Sequence, residues 1–119
     1  MNADVDQTLF TADHGDPAKA LSYGQAGIES RGFLEMQDAY AWALHVNGRD
    51  VEALEASRRA RALGTRNALL QYHAGMIDRS LGNIDAARAE LSAALSINPH
   101  FSPLAAPIAR QALAELEAG

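Results

Sequence analysis

Two consecutive stretches of this chain, each 34 residues long, repeat the same pattern of small residues. When the stretch from Leu34 to Asn67 is aligned with the stretch from Ala68 to Phe101, four pairs of small residues coincide: Ala41 with Gly75, Gly48 with Gly82, Ala53 with Ala87, and Ala60 with Ala94. Each stretch has the pattern of a helix, a glycine turn and a second helix. Self-similarity at a fixed period of this length indicates a helical repeat array, in which stacked hairpins bury a shared core.

Composition and charge suit a small globular protein and disfavour nucleic acid as its partner. The chain has 119 residues, of which 48% are hydrophobic, which is enough for one modest core. Its 15 acidic residues outnumber the 10 basic ones and give a net charge of −5. Because a protein that binds nucleic acid without sequence preference needs a basic surface, that function is disfavoured.

The sequence also lacks the signals of membrane insertion and secretion. No apolar run approaches the roughly 20 residues that a membrane-spanning helix needs. The segment Met1–Phe10 has neither the basic start nor the apolar run of a signal peptide. The chain as written is therefore expected to be cytoplasmic and to have no membrane partner, although an exported parent protein stays open if the chain is a fragment. The absence of cysteine excludes disulfides and leaves the compartment open.

A first helix is predicted from Pro17 to about Ser30, because Asp16 and Pro17 form a strong start signal. The acidic segment before it has only a short helical stretch, Gln7–Ala12, which is marginal on its own. The helix from Pro17 is therefore expected to lack a complete partner. Its interior glycines, Gly24 and Gly27, either permit the close approach of a neighbouring helix or reflect simple drift.

The two repeats predict four further helices. The first three are expected at about Leu34–Asn47, Val51–Leu63 and Arg66–Leu81. The fourth pairs with the third and has the inner stripe Ile84, Ala87, Leu91, Ala94 and Leu95. The expected N-caps of the second, third and fourth helices are Asp50, Thr65 and Asn83. A last helix begins at Pro103 or nearer Pro107 and runs to about Glu117. Its apolar residues, Leu104, Ile108, Leu113 and Leu116, are expected to close the end of the core.

These residues resemble the tetratricopeptide repeat (TPR) family, and in particular the C-terminal portion of a bacterial-type TPR array. The family's small residues, glycine and proline are matched in the second repeat by Gly75, Ala87, Ala94, Gly82 and Pro99. The resemblance implies an all-α, TPR-like helical-hairpin solenoid with a C-terminal capping helix. Its parts are residues 1–33 (an acidic segment and a half-repeat helix), 34–67 and 68–101 (two repeats), and 102–119 (the capping helix).

The chain departs from the family pattern at several positions. Gln37 and Gln71 stand where a large residue is usual, and Leu44 and Asp78 stand where an aromatic residue is usual. Thr65 stands where the first repeat should have proline. We expect Asp78 to be partly exposed and paired with a nearby arginine, with a functional carboxylate as the alternative.

In TPR proteins the first helices of successive repeats line a concave groove, and the resemblance implies such a groove here. Its residues would be Glu35, Asp38, Trp42, His45, Leu69, Tyr72, Met76 and Arg79, which follow a helical spacing on each helix. Trp42, Tyr72 and Met76 would form an apolar floor, because aromatic residues and methionine are enriched at interfaces. The alternative is that Trp42 belongs to the core between helices.

The predicted function is therefore non-catalytic binding of a protein or peptide in the groove, within a larger assembly. No phosphate-binding glycine loop, nucleophile elbow or zinc-binding HExxH motif occurs, so we predict no catalytic residue, metal site or cofactor. The alternatives are a self-association module, which pairs with a second copy or with upstream repeats through its N-terminal edge, and the end of a longer TPR array. Binding of nucleic acid or metal is disfavoured.

Overall fold

The computed structural model describes residues 3–30, 34–62 and 66–118, which form seven α-helices and no β-strand. The helices are α1 (Ala3–Asp13), α2 (Pro17–Ser30), α3 (Leu34–Val46), α4 (Asp50–Arg61), α5 (Ala68–Ser80), α6 (Ile84–Ile97) and α7 (Ala105–Ala118). They belong to two compact units, Met1–Leu63 with α1 to α4 and Gly64–Gly119 with α5 to α7. The all-α class predicted from the repeat pattern is confirmed.

The first unit begins with a complete helical hairpin, so the expected half-repeat is wrong. α1 is almost twice as long as the predicted stretch Gln7–Ala12, and it packs against both α2 and α3. Thr8 and Ala12 are buried on its inner face, and Gly15 turns the chain with a φ of 87°. A helix of this length is marginal alone, and tertiary packing of its inner face supplies the missing stability.

Gly24 and Gly27 lie where α2 meets α3. A Cβ built at Gly24 would lie 3.2 Å from Cδ1 of Tyr40 and 3.6 Å from Cβ of Ala43. A Cβ built at Gly27 would collide with the side chain of Met36, which is fully buried. Close helix approach, one of the two interpretations left open by the sequence, therefore accounts for both glycines.

The hairpin of α3 and α4 turns at Gly48, whose φ of 76° is readily adopted only by glycine. Its core is built largely from alanines, with Ala39, Ala41, Ala43, Ala53, Ala56 and Ala60 all at 1% exposure or less. The prediction that Asp50 caps α4 is wrong. Arg49 occupies the N-cap position without a capping hydrogen bond from its side chain, and Asp50 is the first helical residue.

In the second unit, Asn67 is the N-cap of α5, and its side chain accepts a hydrogen bond from the backbone nitrogen of Leu70. The predicted cap, Thr65, lies outside the described residues. Gly82, with a φ of 80°, ends the helix as predicted. α5 and α6 pack tightly where Gly75 faces Leu91, since a Cβ on Gly75 would lie 2.7 Å from Cγ of Leu91.

α6 buries three residues of its predicted stripe, Ala87, Leu91 and Ala94, whereas Ile84 is 38% exposed. α7 packs against α6, and of the four residues expected to face the core only Leu116 is buried. Its buried stripe is Ala105, Ala109, Ala112 and Leu116, whereas Leu104 and Ile108 are 52% and 42% exposed. The alanine stripe at spacings of four, three and four residues forms a regular face that allows close helix approach. The larger residues of the neighbouring stripe, Leu104 and Ile108, therefore stay exposed to solvent.

Candidate partner-binding surface

The eight residues predicted to bind a partner divide equally between the two units. Glu35, Asp38, Trp42 and His45 lie on α3 in the first unit, and Leu69, Tyr72, Met76 and Arg79 lie on α5 in the second. We refer to these sets as the α3 row and the α5 row. Each row follows spacings of three, four and three residues, which place its members on one face of their helix.

Two members of the α3 row are buried. Asp38 and Trp42 are 2% and 6% exposed, whereas Glu35 is exposed. The indole Nε1 of Trp42 donates a hydrogen bond to Oδ1 of Asp13 at 2.9 Å, so the C-terminal end of α1 lies against this tryptophan. The burial and the satisfied indole nitrogen favour the core interpretation of Trp42.

His45 connects the α3 row to the start of α4. Its ring centroid lies 4.8 Å from that of Trp42, and its Nδ1 lies 2.6 Å from Oδ1 of Asp50. Both members of the His45–Asp50 pair retain some solvent access, with side-chain exposures of 17% and 19%. The side chain of Asp50 thus holds the imidazole across the turn instead of capping α4. The accessible part of the α3 row consists of Glu35 and the edge of His45.

The α5 row is more open to solvent. Leu69 and Met76 are half-buried, and the guanidinium-bearing side chain of Arg79 is 38% exposed. Tyr72 is only 4% exposed, because it packs within the unit, with its ring centroid 5.5 Å from that of Phe101. The row therefore presents two accessible apolar side chains and one cation on a face whose middle is anchored by a buried tyrosine.

A second row, on α7, meets the α5 row, and the sequence did not identify its two apolar members as accessible. It consists of Leu104, just before the helix, followed by Ile108, Gln111 and Glu115, and we call it the α7 row. Nη2 of Arg79 lies 3.7 Å from Oε1 of Glu115, so the two rows meet at this point. The spacings of four, three and four residues were visible in the sequence. The leucine and isoleucine were assigned to the core because the competing stripe consists of alanines, which carry a weaker hydrophobic signal.

Asp78 does not take part in this surface, and the expectation of a partly exposed carboxylate paired with arginine is wrong. The residue is 3% exposed, and its Oδ1 accepts a hydrogen bond from Nδ2 of Asn83 at 2.9 Å. The backbone nitrogen of Asn83 also donates to the carbonyl oxygen of Asp78. Asp78 thus fixes the turn between α5 and α6. Asn83 stands at the N-cap position of α6 as predicted, but its side chain makes this contact and no capping hydrogen bond.

An ion pair at the start of α4, between Arg49 and Glu52, shifts the pKa values of both its members. Nε and Nη2 of Arg49 donate to the two carboxylate oxygens of Glu52 at 2.9 and 2.7 Å. These hydrogen bonds lower the pKa of Glu52 and raise that of Arg49. Both groups are solvent-exposed, so the pair contributes little to stability.

Among the described side chains, no group of three or more histidine, aspartate or glutamate residues is arranged to hold a metal ion. None of the described helices combines the length and apolar character that crossing a membrane requires.

Comparison with known proteins supports the fold. No protein-family model matches the chain, and no curated protein matches it. Among solved structures, the chain is similar to the NMR structure of the first TPR domain of the human RPAP3 protein, with a TM-score of 0.70. The match covers 98% of this chain and 94% of that chain at 16% sequence identity. A likeness at this identity concerns the fold, and it confirms the TPR-like helical-repeat architecture.

Proposed function

We propose that this TPR-like chain is a non-catalytic interaction module that binds a protein segment, either a peptide or a helix. The observation that carries the proposal is the half-buried pair Leu69 and Met76, which lies on one helical face with Arg79. Repeat folds of stacked helical hairpins use extended faces of this kind for binding. Methionine and arginine are also enriched at interfaces.

The α7 row supports the same proposal. Leu104 and Ile108 are among the most exposed large apolar residues of the described chain, and Glu115 of the same row contacts Arg79. The Arg79–Glu115 contact joins the two rows at one end, and their apolar residues are proposed to contribute to one surface. A partner segment with apolar side chains would bury Leu69, Met76 and Ile108, and its polar groups would meet Arg79 and Glu115.

The α3 row is proposed to make a smaller contribution to partner binding than the α5 row. Glu35 and His45 are its accessible members and would supply polar contacts. Asp38 and Trp42 would act indirectly, by fixing the position of α3. Binding energy is usually concentrated in a few residues. Because more side chains are accessible in the α5 row than in the α3 row, the test uses substitutions in the α5 row.

The proposal is tested by selecting peptides from a random library on the immobilised full chain and measuring their affinity for variants. Leu69→Ala and Met76→Ala are expected to weaken selected peptides at least about tenfold, or about 1.4 kcal/mol each. Val51→Ser is the matched control, because Val51 is a 68% exposed apolar residue on α4, outside both rows. It should leave the affinity unchanged.

Two results would contradict the proposal. Selected peptides whose affinity is insensitive to substitutions of Leu69, Met76 and Ile108 would place binding elsewhere. A loss of affinity in Val51→Ser as large as that in Met76→Ala would show that peptides bind exposed apolar residues without selectivity.

A further inference from the structure

A cleft beside the start of α7 lies next to the α7 row and is not part of it. Its volume is about 280 Å³, and it is lined by His100, Ser102, Pro103, Ala106, Pro107 and Arg110. This volume lies below the roughly 300–1,000 Å³ of typical small-molecule sites and suits one large side chain. Its proline and alanine walls have no side-chain rotamers to lose when an apolar group enters.

The cleft is basic in an otherwise acidic chain. Arg110 and His100 are among its lining residues, and none of those lining residues is a carboxylate. Nη1 of Arg110 donates to the carbonyl oxygen of Pro99 at 2.9 Å, which holds the guanidinium at the rim. An apolar side chain flanked by carboxylates would therefore match the cleft in size and in charge.

α1 carries a side chain of this description. Phe10 is 62% exposed, and it is the aromatic member of the exposed large apolar residues in the described part of the chain. It stacks on His14 with ring centroids 4.0 Å apart and planes 15° apart, and Nδ1 of His14 donates to the carbonyl oxygen of Phe10. The stacking orders the phenyl ring before any partner arrives, which lowers the entropic cost of burying it.

The surroundings of Phe10 are acidic. Asp6 lies one turn before it and Asp13 lies about one turn after it, and both are exposed. The first sixteen residues contain four aspartates and neither lysine nor arginine. Asp6 lies four residues before Phe10 on α1, and Arg110 lies three residues after Pro107 on α7, so each charged residue is about one helical turn from its neighbour. The carboxylate of Asp6 can therefore meet the guanidinium of Arg110 while the phenyl ring contacts Pro107.

We propose that Phe10 of one copy inserts into the cleft at the start of α7 of a second copy. The two halves of this contact are different surfaces, so the association is heterologous. Each chain then has one donor surface on α1 and one acceptor surface on α7. Such contacts propagate from chain to chain, and they form a ring if the rotation closes or a filament if it does not. This self-association is independent of peptide binding at the α5 row.

The test measures mass by sedimentation as a function of concentration, using the full chain. The wild type is expected to associate as concentration rises. Phe10→Asp should weaken association at least about tenfold, because it places a carboxylate where an apolar ring is buried. Pro107→Glu should do the same from the other side. It suits the first turn of α7, where negative charge is favourable, so the helix should stay folded.

Mixing the two variants gives the sharpest result. Phe10→Asp keeps an intact cleft, and Pro107→Glu keeps an intact phenyl ring, so an equimolar mixture should form heterodimers and no larger species. Val51→Ser should associate like the wild type, because Val51 is equally exposed but lies on neither surface. If Pro107→Glu loses helical content in circular dichroism, Arg110→Gln replaces it as the cleft variant.

A wild type that stays monomeric at every concentration would overturn the proposal, as would variants that associate like the wild type. A mixture that forms species larger than a dimer would show that the contact is not built from one ring and one cleft. Peptide binding at the α5 row should be unchanged in both variants, so a failure of this proposal is distinguishable from a failure of the proposed function.

Discussion

Trp42 shows how the environment of a single residue decides between two interpretations of a sequence. Its position on a helical stripe with Asp38 and His45 fitted a binding groove, and its size fitted the core. In the structure it is 6% exposed, hydrogen-bonded to Asp13 and in ring contact with His45. The residue that accepts its hydrogen bond, Asp13, belongs to α1, a helix that was expected to cover little of the fold.

The burial of Trp42 predicts its spectroscopic and energetic behaviour. Its fluorescence should be blue-shifted and poorly quenched by acrylamide, because the indole has little contact with water. Trp42→Ala should lower the free energy of unfolding by about 3–5 kcal/mol, the usual cost of removing a large buried aromatic side chain. Chemical denaturation monitored by circular dichroism measures this loss, since the variant has no other tryptophan.

Trp42→Phe provides the matched comparison. It keeps an aromatic ring and removes the indole N–H that reaches Asp13, so it should cost clearly less than Trp42→Ala. If acrylamide quenches Trp42 readily and Trp42→Ala unfolds like the wild type, the residue is a surface contact and the observed packing of α1 is wrong.

At the scale of the helix, Gly75 allows α5 and α6 to approach each other closely. An alanine in the middle of a helix normally stabilises it by about 0.5–1 kcal/mol relative to glycine. Here the added Cβ would lie 2.7 Å from Cγ and 3.3 Å from the backbone nitrogen of Leu91, and the backbone atom cannot move away as a flexible side chain can. Gly75→Ala should therefore destabilise the protein by about 1–3 kcal/mol through overpacking.

A double-mutant cycle isolates this contact. In a Leu91→Ala background the clash with the leucine side chain is absent, so Gly75→Ala should become much less costly there, and its sign can reverse. Gly24→Ala is the control in the first unit, because its nearest obstacle is the Cδ1 atom of Tyr40 at 3.2 Å. An equal cost for Gly75→Ala in both backgrounds, measured by thermal unfolding, would show that α5 and α6 do not meet at this pair.

Particular residues explain which helices could be predicted and which could not. Gly48 and Gly82 marked two turns correctly, because each adopts a positive φ that ends a helix. The face of α7 was misassigned, because hydrophobicity ranks Leu104 and Ile108 above alanine whereas close packing against α6 favours the smaller residues. α1 was underestimated, because its stability comes from tertiary contacts that local propensity does not contain.

At the scale of the whole molecule, the candidate surfaces were predicted less well than the fold. The repeat pattern identified helices and their order, since small residues are required wherever hairpins stack. The resemblance to TPR proteins predicted the members of the α5 row, but it could not separate a buried member, Tyr72, from the half-buried Met76, because both suit an apolar stripe. Phe10 and the cleft beside Pro103 were missed, because an exposed aromatic residue and a gap between side chains leave no periodic signal.

The helices contact partners that are close to them in the chain, and this has a consequence for the time the protein needs to fold. The main pairings join consecutive helices, α1 with α2, α2 with α3, α3 with α4, α5 with α6 and α6 with α7, and the longest step among them is from α1 to α3. Every such contact closes a short loop, so little chain entropy is lost before the contact forms. Proteins dominated by local helical contacts fold in about microseconds to milliseconds. The main refolding phase in stopped-flow circular dichroism should therefore be largely complete within the instrument's dead time, whereas a dominant phase of seconds would indicate that distant parts of the chain must meet first.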